Sequence, residues 1–395
     1  MGCQKHGRGP LVAAMMQTLG ANPFADRAPT ATTAVMVTDQ ATGPSSDQPR
    51  ARRTACIIGA GLTGLTAAAE LQAGGWKVVV LDKGRAPGGR AATRYLSDCS
   101  QRCDVGAQFW TARDPTFAAA TAVWVQAGWA EAWGQGFPLL NPSGLQIVGD
   151  GFARWRAVGG MVTLARHLAQ GLDLRAPRTV TALKSVDSAW DVIHVGGDAV
   201  RGVATAPEEI LRADAVIMTM PVPQILTLLA PLAFPIPPEI GAVQYDRCLY
   251  LLAEKNQGEA ILPNPGGIRI EDGALGCTWI ASARQRGLRD HGEGIILHAD
   301  AQLSASLWDD DPAKQMAILR DRLAAVLARL DVSWTPDNAE VRRWRYGRCS
   351  QTVPELLWSP GSGLFGAGDA FGAAPRVEGA WLSGRAVAGA ILRGH

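Results

Sequence analysis

Gly59, Gly61 and Gly64 fall within one short stretch, Cys56-Ile-Ile-Gly-Ala-Gly-Leu-Thr-Gly64, at the spacing a backbone needs to wrap a pyrophosphate. An apolar run from Ala55 to Ile58 precedes them and an apolar-periodic stretch from Leu62 to Leu71 follows, so the sequence predicts strand, tight turn and helix. Gly59 permits the sharp turn, Gly61 lets the backbone approach the anion, and Gly64 lets helix and strand pack closely. The helix start, with Leu62 and Thr63 in its first turn, offers unpaired N–H groups to the anion. A second predicted strand, Trp76 to Leu81, ends at Asp82, near the spacing at which an acid accepts hydrogen bonds from an adenosine ribose and disfavours a 2′-phosphate. In a chain with 45 glycines a glycine fingerprint alone says little; strand, turn, helix, strand and acid in register point to dinucleotide binding. They do not separate FAD from NAD.

Two further stretches bear on that choice. Lys83-Gly-Arg-Ala-Pro-Gly88-Gly89-Arg90 follows the acid, and Gly368-Asp369 with Arg376-Val-Glu-Gly379-Ala380 stands near the C-terminus. Alone, the first is equally a surface turn and the second a small-residue helix on a sheet. Joined to the front turn, they resemble the flavin-containing amine oxidase superfamily. The resemblance implies FAD as cofactor, contacted by the segment from Lys83 through Gly89 to Arg90, with Arg90 and the glycine amides lining the diphosphate. It further implies that Asp369, after Gly368, bonds the ribityl or phosphate region, and that the amides of Gly379 and Ala380 open the last helix toward the flavin.

Asp104-Val-Gly106-Ala107-Gln108-Phe-Trp-Thr111 and Arg343-Trp344-Arg345-Tyr346 are similar to the renalase-like bacterial branch of that superfamily, a resemblance covering most of Thr54 to Arg393. It implies Gly106, Ala107 and Gln108 near the flavin, and Val180, in a predicted strand Arg178 to Leu183, facing the adenine through its backbone. Gly159-Gly160-Met161 before a helix ending at Gly171, and a strand Ala213 to Thr219 before Pro221, also fit. The chain departs from the branch at Ser282-Ala-Arg-Gln-Arg286, where an Asn-Ser-Ser-Lys-Pro-like stretch is expected. The expected fold is α/β: a Rossmann-like FAD-binding domain with an inserted α+β substrate domain of mixed sheet plus helices. The FAD-binding part spans residues 54–114 with 157–224 and 347–395, the substrate part 115–156 with 225–346, after a disordered extension over 1–53. In the substrate part, strands are expected at Arg247 to Glu254 and Gly294 to Ala299, and a helix at Pro312 to Leu330 capped by Asp311.

No Ser–His–Asp pattern and no metal-ligand spacing occurs among the six histidines, and His298 reads as structural. The expected activity is that of an FAD-dependent oxidoreductase: hydride passes from a small reduced substrate to flavin N5, and oxygen reoxidises the cofactor with formation of hydrogen peroxide. The cofactor carries the chemistry, and the protein positions and shields. Cavity candidates are Gln108, Trp110 and Arg345. Trp110 is either an aromatic wall over the substrate or core. Resemblance to the renalase-like branch implies an isomeric dihydronicotinamide dinucleotide as substrate, with Arg343, Arg345 or Arg348 as partners for its phosphates or else as a solvated strand face. A flavin amine oxidase is the alternative, although Lys184 and Lys255 lie in no recognisable lysine context for it; a noncatalytic binding protein of the same fold is the alternative of another class.

Composition is compatible with all of this: 395 residues, 47% apolar and 19% charged, net charge +2, and no basic stripe interleaved with aromatics that would point to nucleic acid. Leu11 to Leu19 is too short and polar to span a membrane. With Lys5 and Arg8 it weakly imitates a targeting segment, Met36 being an alternative start, and a cytoplasmic location is expected. Seven cysteines at irregular spacing argue against a secreted disulfide framework; Cys99 and Cys103 read as thiols in a hairpin, and covalent flavin attachment through Cys349 is not expected. Of 13 tryptophans, Trp124, Trp129 and Trp133 are expected in one core helix started by Asp114-Pro115.

Overall fold

The strand Thr54–Ile58 forms as expected and sits inside a six-stranded sheet between Lys77–Leu81 and Ala215–Met218. Beyond them lie Asp173–Arg175 on one side and Leu364–Gly366 with Trp358–Gly361 on the other; every neighbouring pair is parallel except that last one. Strands buried on both faces read as continuous apolar runs, which is why Ala55 to Ile58 and Val78 to Leu81 show no alternation. Ala55 and Ile57 pack with the helices Leu62–Ala73, Met161–Leu168 and Val377–Leu392, whereas Cys56 and Ile58 pack on the opposite face with Leu183, Trp190 and Val192. Those last three residues belong to a three-stranded antiparallel sheet, Arg178–Val186, Ala189–Asp198 and Val203–Ala213.

A computed structural model describes residues 52–95, 102–198 and 203–394, nearly all within one compact unit that begins at Arg53. The extension expected over 1–53, the targeting-like stretch, Cys3 and Cys99 lie outside the described residues, apart from residues 52 and 53.

A second, seven-stranded sheet runs in the order Asn338–Gln351, Gln244–Lys255, Glu293–Ala299, Cys277–Ser282, Gly267–Ile270, Leu139–Asn141, Gly144–Gln146, antiparallel except where Gly267–Ile270 meets Leu139–Asn141. Leu249, Leu251 and Leu297 point to one face and pack against Leu319, Leu323 and Val326 of the helix Pro312–Arg329, whose start Asp311 caps at the Ala313 N–H. Tyr250, Leu252 and Ile296 point the other way, against Cys103, Val105 and Phe109. The mixed sheet thus presses on the segment from Asp104 to Gln108.

Three expected elements differ. The strand expected over Ala213 to Thr219 is divided at Asp214, so that Ala213 ends an antiparallel strand and Ala215–Met218 is parallel to Thr54–Ile58. The helix begun at Pro115, with Asp114 accepting from Thr116 and Phe117, ends at Gln126. Trp124 lies in it, but Gly128 at φ +73° turns the chain, leaving Trp129 in a turn and Trp133 in the strand Ala130–Gly134. No described helix is long and apolar enough to cross a membrane.

Candidate functional site

The front turn closes tightly at Gly59 and Gly64, where the turn's own backbone and the Thr219 side chain leave no space for a Cβ, and stays open at Gly61. A Cβ on Gly64 would lie 2.0 Å from the Gly59 carbonyl oxygen and 2.9 Å from Thr219 Oγ1, the hydroxyl that donates to the carbonyls of Ile58 and Gly59. At Gly61 a Cβ would meet no protein atom within 4 Å. Gly61 also starts the helix Leu62–Ala73 with no side-chain cap, so the amides at Leu62 and Thr63 open beside empty space. Asp82 does more than stand at the ribose position: its Oδ2 accepts from Ala60 N at 2.6 Å and its Oδ1 from Gly84 N at 2.6 Å, pinning the turn and the following loop together. Ala60 in turn accepts from Gly88 N at 2.8 Å, which docks Gly88-Gly89-Arg90 on the front turn; a Cβ on Gly89 would lie 3.5 Å from the Gly61 Cα, so the two glycines face each other. Lys83 is exposed. Arg178 N donates to the Asp82 carbonyl at 2.7 Å, placing Val180 two residues further along an edge strand, opposite His194.

Arg90 and Asp369, 279 residues apart in sequence, meet as a two-pronged pair, Nη1 to Oδ2 at 2.7 Å and Nη2 to Oδ1 at 2.5 Å. The two ends of the chain therefore join at one fork, the geometry in which Arg is strongest. Ser383, which sequence reading passed over, accepts from Gly368 N and donates to Leu356 O, fixing the turn that presents Asp369. At the last helix one expectation is corrected: the Ala380 amide is not open, since it donates to Arg376 O at 2.9 Å within the helix, and the Ala380 carbonyl takes Thr63 Oγ1 at 2.8 Å. Gly379 remains in the first turn, its Cβ position blocked by the Ala374 carbonyl oxygen at 2.1 Å. Glu378 beside it accepts from the amides of Arg113 and Asp114 at 2.6 and 2.7 Å.

The segment Gly106-Ala107-Gln108 is locked to Arg90. Ala107 N donates to Arg90 O at 2.9 Å, and a Cβ on Gly106 would lie 1.9 Å from that same oxygen. Gln108 is buried, with Nε2 donating to Asp104 O and Gly106 O. Of the two readings of Trp110, the structure supports core: it is 2% exposed, stands edge-on to Trp124 and donates Nε1 to Thr121 Oγ1, a partner that satisfies its only polar atom. Arg345 is exposed on another strand, so the structure does not bring Gln108, Trp110 and Arg345 together. Of the other two arginines, Arg343 donates to Trp308 O and Arg348 pairs with Asp246 at 3.4 Å.

Beneath this segment Asp104 is fully buried and receives three groups: Thr93 Oγ1 at 2.5 Å, Met161 N at 2.8 Å, and Arg286 Nη2 at 2.8 Å. Burial pushes the Asp104 carboxyl up and the Arg286 guanidinium down to about 10, because the pair pays desolvation on both sides. Arg286 ends the stretch noted as a departure; its side chain is 2% exposed and serves Asp104. Cys349 is buried near Arg90 and Asp369; burial first, and then Asp369, push its thiol up to about 11, and Sγ donates to Gln351 O.

Residues 135–392 match the family of flavin containing amine oxidoreductases, and residues 57–123 match an NAD(P)-binding Rossmann-like domain. The chain belongs to the flavin containing amine oxidoreductases. Its fold is also that of a protein assigned as a protoporphyrinogen oxidase from Exiguobacterium sp. 255-15, with TM-score 0.67 and 13% identity over 89% of this chain and 100% of the other. It is likewise similar to a triple mutant of putrescine oxidase made for redesign of cofactor binding, with TM-score 0.60 and 12% identity over 87% of this chain and 99% of the other. The enzyme is an FAD-dependent oxidoreductase. Its own residues fit that cofactor: Gly61 and Gly89 leave room for a diphosphate before an uncapped helix start, and Asp82 stays partly exposed, with lone pairs beyond its two amide bonds. Among the described residues no cluster could hold a metal ion.

Proposed function

We propose that this enzyme oxidises a small reduced molecule of the isomeric dihydronicotinamide dinucleotide class, in the manner of the renalase-like branch, and that oxygen takes the electrons onward with formation of hydrogen peroxide. Bound FAD supplies the two-electron redox chemistry. The division of labour follows the expected boundaries, residues 54–114, 157–224 and 347–395 holding FAD and 115–156 with 225–346 shaping the substrate side; the helix Pro115–Gln126 packs with the FAD-holding side through Phe117 and Trp124. Gly59, Gly61, Leu62, Thr63, Gly64, Asp82, Lys83, Gly89 and Arg90, then Gly368 and Asp369, would hold FAD, with Gly379 and the Gly106–Gln108 segment toward its flavin end and Val180 toward its adenine end.

One observation carries the reading: the acids beside the cofactor motifs are already committed. Asp369 serves Arg90, Asp104 serves Arg286, and Glu378 serves two amides. Lys184 stands on an exposed position of the three-stranded sheet, and Lys255 ends its strand opposite Glu293. Such a site suits a donor that gives up electrons without first losing a proton, so the chain's part is to bind, orient and exclude water. The FAD-loaded enzyme, mixed anaerobically with isomeric dihydronicotinamide dinucleotides, ordinary NADH and primary amines, should lose its flavin absorbance near ~450 nm fastest with the isomeric donors. Bleaching by amines alone would overturn the reading in favour of an amine oxidase.

A further inference from the structure

The strand Gln244–Lys255 and its neighbour Asn338–Gln351 do not pair evenly. Between Asp246 and Cys248 the partner moves from Arg348 to Trp344, so Arg345, Tyr346 and Gly347 bulge opposite Arg247. Gly347 makes the bulge possible, since a Cβ there would lie 2.9 Å from Cys248 Cβ and 3.1 Å from Asp246 O. Bulges re-aim side chains and gather near functional sites. This one brings Arg345 and Tyr346, with Arg247, to the wall of a cleft of about 540 Å3 that Tyr245, Trp308 and Asp309 also line.

The charges in this cleft are not balanced. Arg247 and Arg343 both lie over the Trp308 ring, with Cζ 4.9 and 5.2 Å from its centroid, a contact that holds each guanidinium in place. Arg343 spends a donor on Trp308 O and Arg348 is paired with Asp246, whereas Arg247 and Arg345 have no carboxylate partner among the described residues. Asp309 is the single acid in the lining. The cleft also adjoins the cofactor fork: Tyr245 meets Tyr346 edge-on at 5.6 Å, and the Arg90 guanidinium lies 5.5 Å from the Tyr245 ring.

We propose that this cleft binds an oxyanion, a phosphate or a carboxylate, carried by the substrate away from its reacting carbon, with Arg247 and Arg345 as the forks that hold it and Tyr346 as a supporting donor. The proposal rests on the function proposed above, for it makes the cleft the substrate's anchor. Guanidinium forks match the planar oxygens of either anion, and two of them, neither paired with a carboxylate, outnumber the one acid of the lining, Asp309, and favour a charged group.

Calorimetric titration of the FAD-loaded enzyme with inorganic pyrophosphate, and separately with succinate, tests it; loading with FAD keeps the cofactor's own diphosphate site filled. The wild type should bind one of the two anions, and which one binds names the group as phosphate or carboxylate. The double variant Arg247→Gln/Arg345→Gln should bind it at least about tenfold more weakly. Arg342→Gln, whose guanidinium is paired with Glu340 on the same strand, should bind as the wild type does. Neither anion bound by the wild type, or equal binding by the double variant, overturns the proposal. Flavin reduction by dihydronicotinamide mononucleotide and by its uncharged riboside separates the two claims. If neither donor bleaches the flavin while the variant loses anion binding, the donor class fails and the cleft stands. If both bleach it and the variant leaves the KM of the mononucleotide unchanged, the cleft fails and the donor class stands.

Discussion

Arg90 and Asp369 each neutralise a charge that the other would leave largely shut away from water, with side-chain exposures of 29% and 13%. Arg90→Gln strands the carboxylate, and we expect the apoprotein to lose about 2 kcal/mol in denaturant unfolding, with FAD retention falling as well. Arg90→Lys restores the charge but not the fork, so its stability should recover more than its FAD retention. His298 offers a pH test of the sheet behind the Gly106–Gln108 segment. Its Nε2 is shut off from solvent, and burial, opposed by a bond with the Val105 backbone, pushes the imidazole down to about 4. The folded chain therefore refuses a proton that the unfolded chain accepts below about 6.5, and stability present at neutral pH drains away as pH falls between these values. His298→Phe should flatten that loss by about 2 kcal/mol at pH 5 relative to pH 7 in unfolding titrations, whatever its effect on stability at neutral pH.

Strand, glycine turn and helix were legible at the front of the chain because burial on both faces and the 3.6-residue period leave marks in neighbouring residues. What closes the turn was not legible. Thr219 and Asp82 reach it from 160 and 22 positions away, and no local pattern announces such a bond. The Ala380 amide was misread for a related reason: where a helix begins depends on whether the Arg376 carbonyl turns back to meet it. Gly64→Ala should be severe whether or not FAD is present, since its Cβ would collide with backbone at 2.0 Å; thermal unfolding of the apoprotein should show the loss. Asp82→Ala should also loosen the turn, so weakened FAD binding in that variant would report on pinning and on the ribose contact together.

At the scale of the whole molecule, Asp104 and Arg286 tie the loop between the interior strands Cys277–Ser282 and Glu293–Ala299 of the seven-stranded sheet to the helix start at Met161. Sequence showed Ser282 to Arg286 only as a departure from its relatives; a buried pair 182 positions apart leaves no periodic trace. Arg286→Met should cost about 3–5 kcal/mol by abandoning a buried carboxylate, while Asp104→Asn with Arg286→Met should regain most of it, since asparagine still offers an oxygen to Thr93 and Met161. A double-mutant cycle in denaturant measures the coupling. The central claim is that both ends of this chain converge on one FAD, and Gly61→Ala isolates it. A Cβ there meets no protein atom within 4 Å, so the folded apoprotein should be changed by no more than about 1 kcal/mol, whereas a bound diphosphate would be struck. FAD content per chain of the purified variant, set beside the wild type, is the measurement. The account predicts flavin largely lost from a normally stable protein; full FAD occupancy in Gly61→Ala would contradict it.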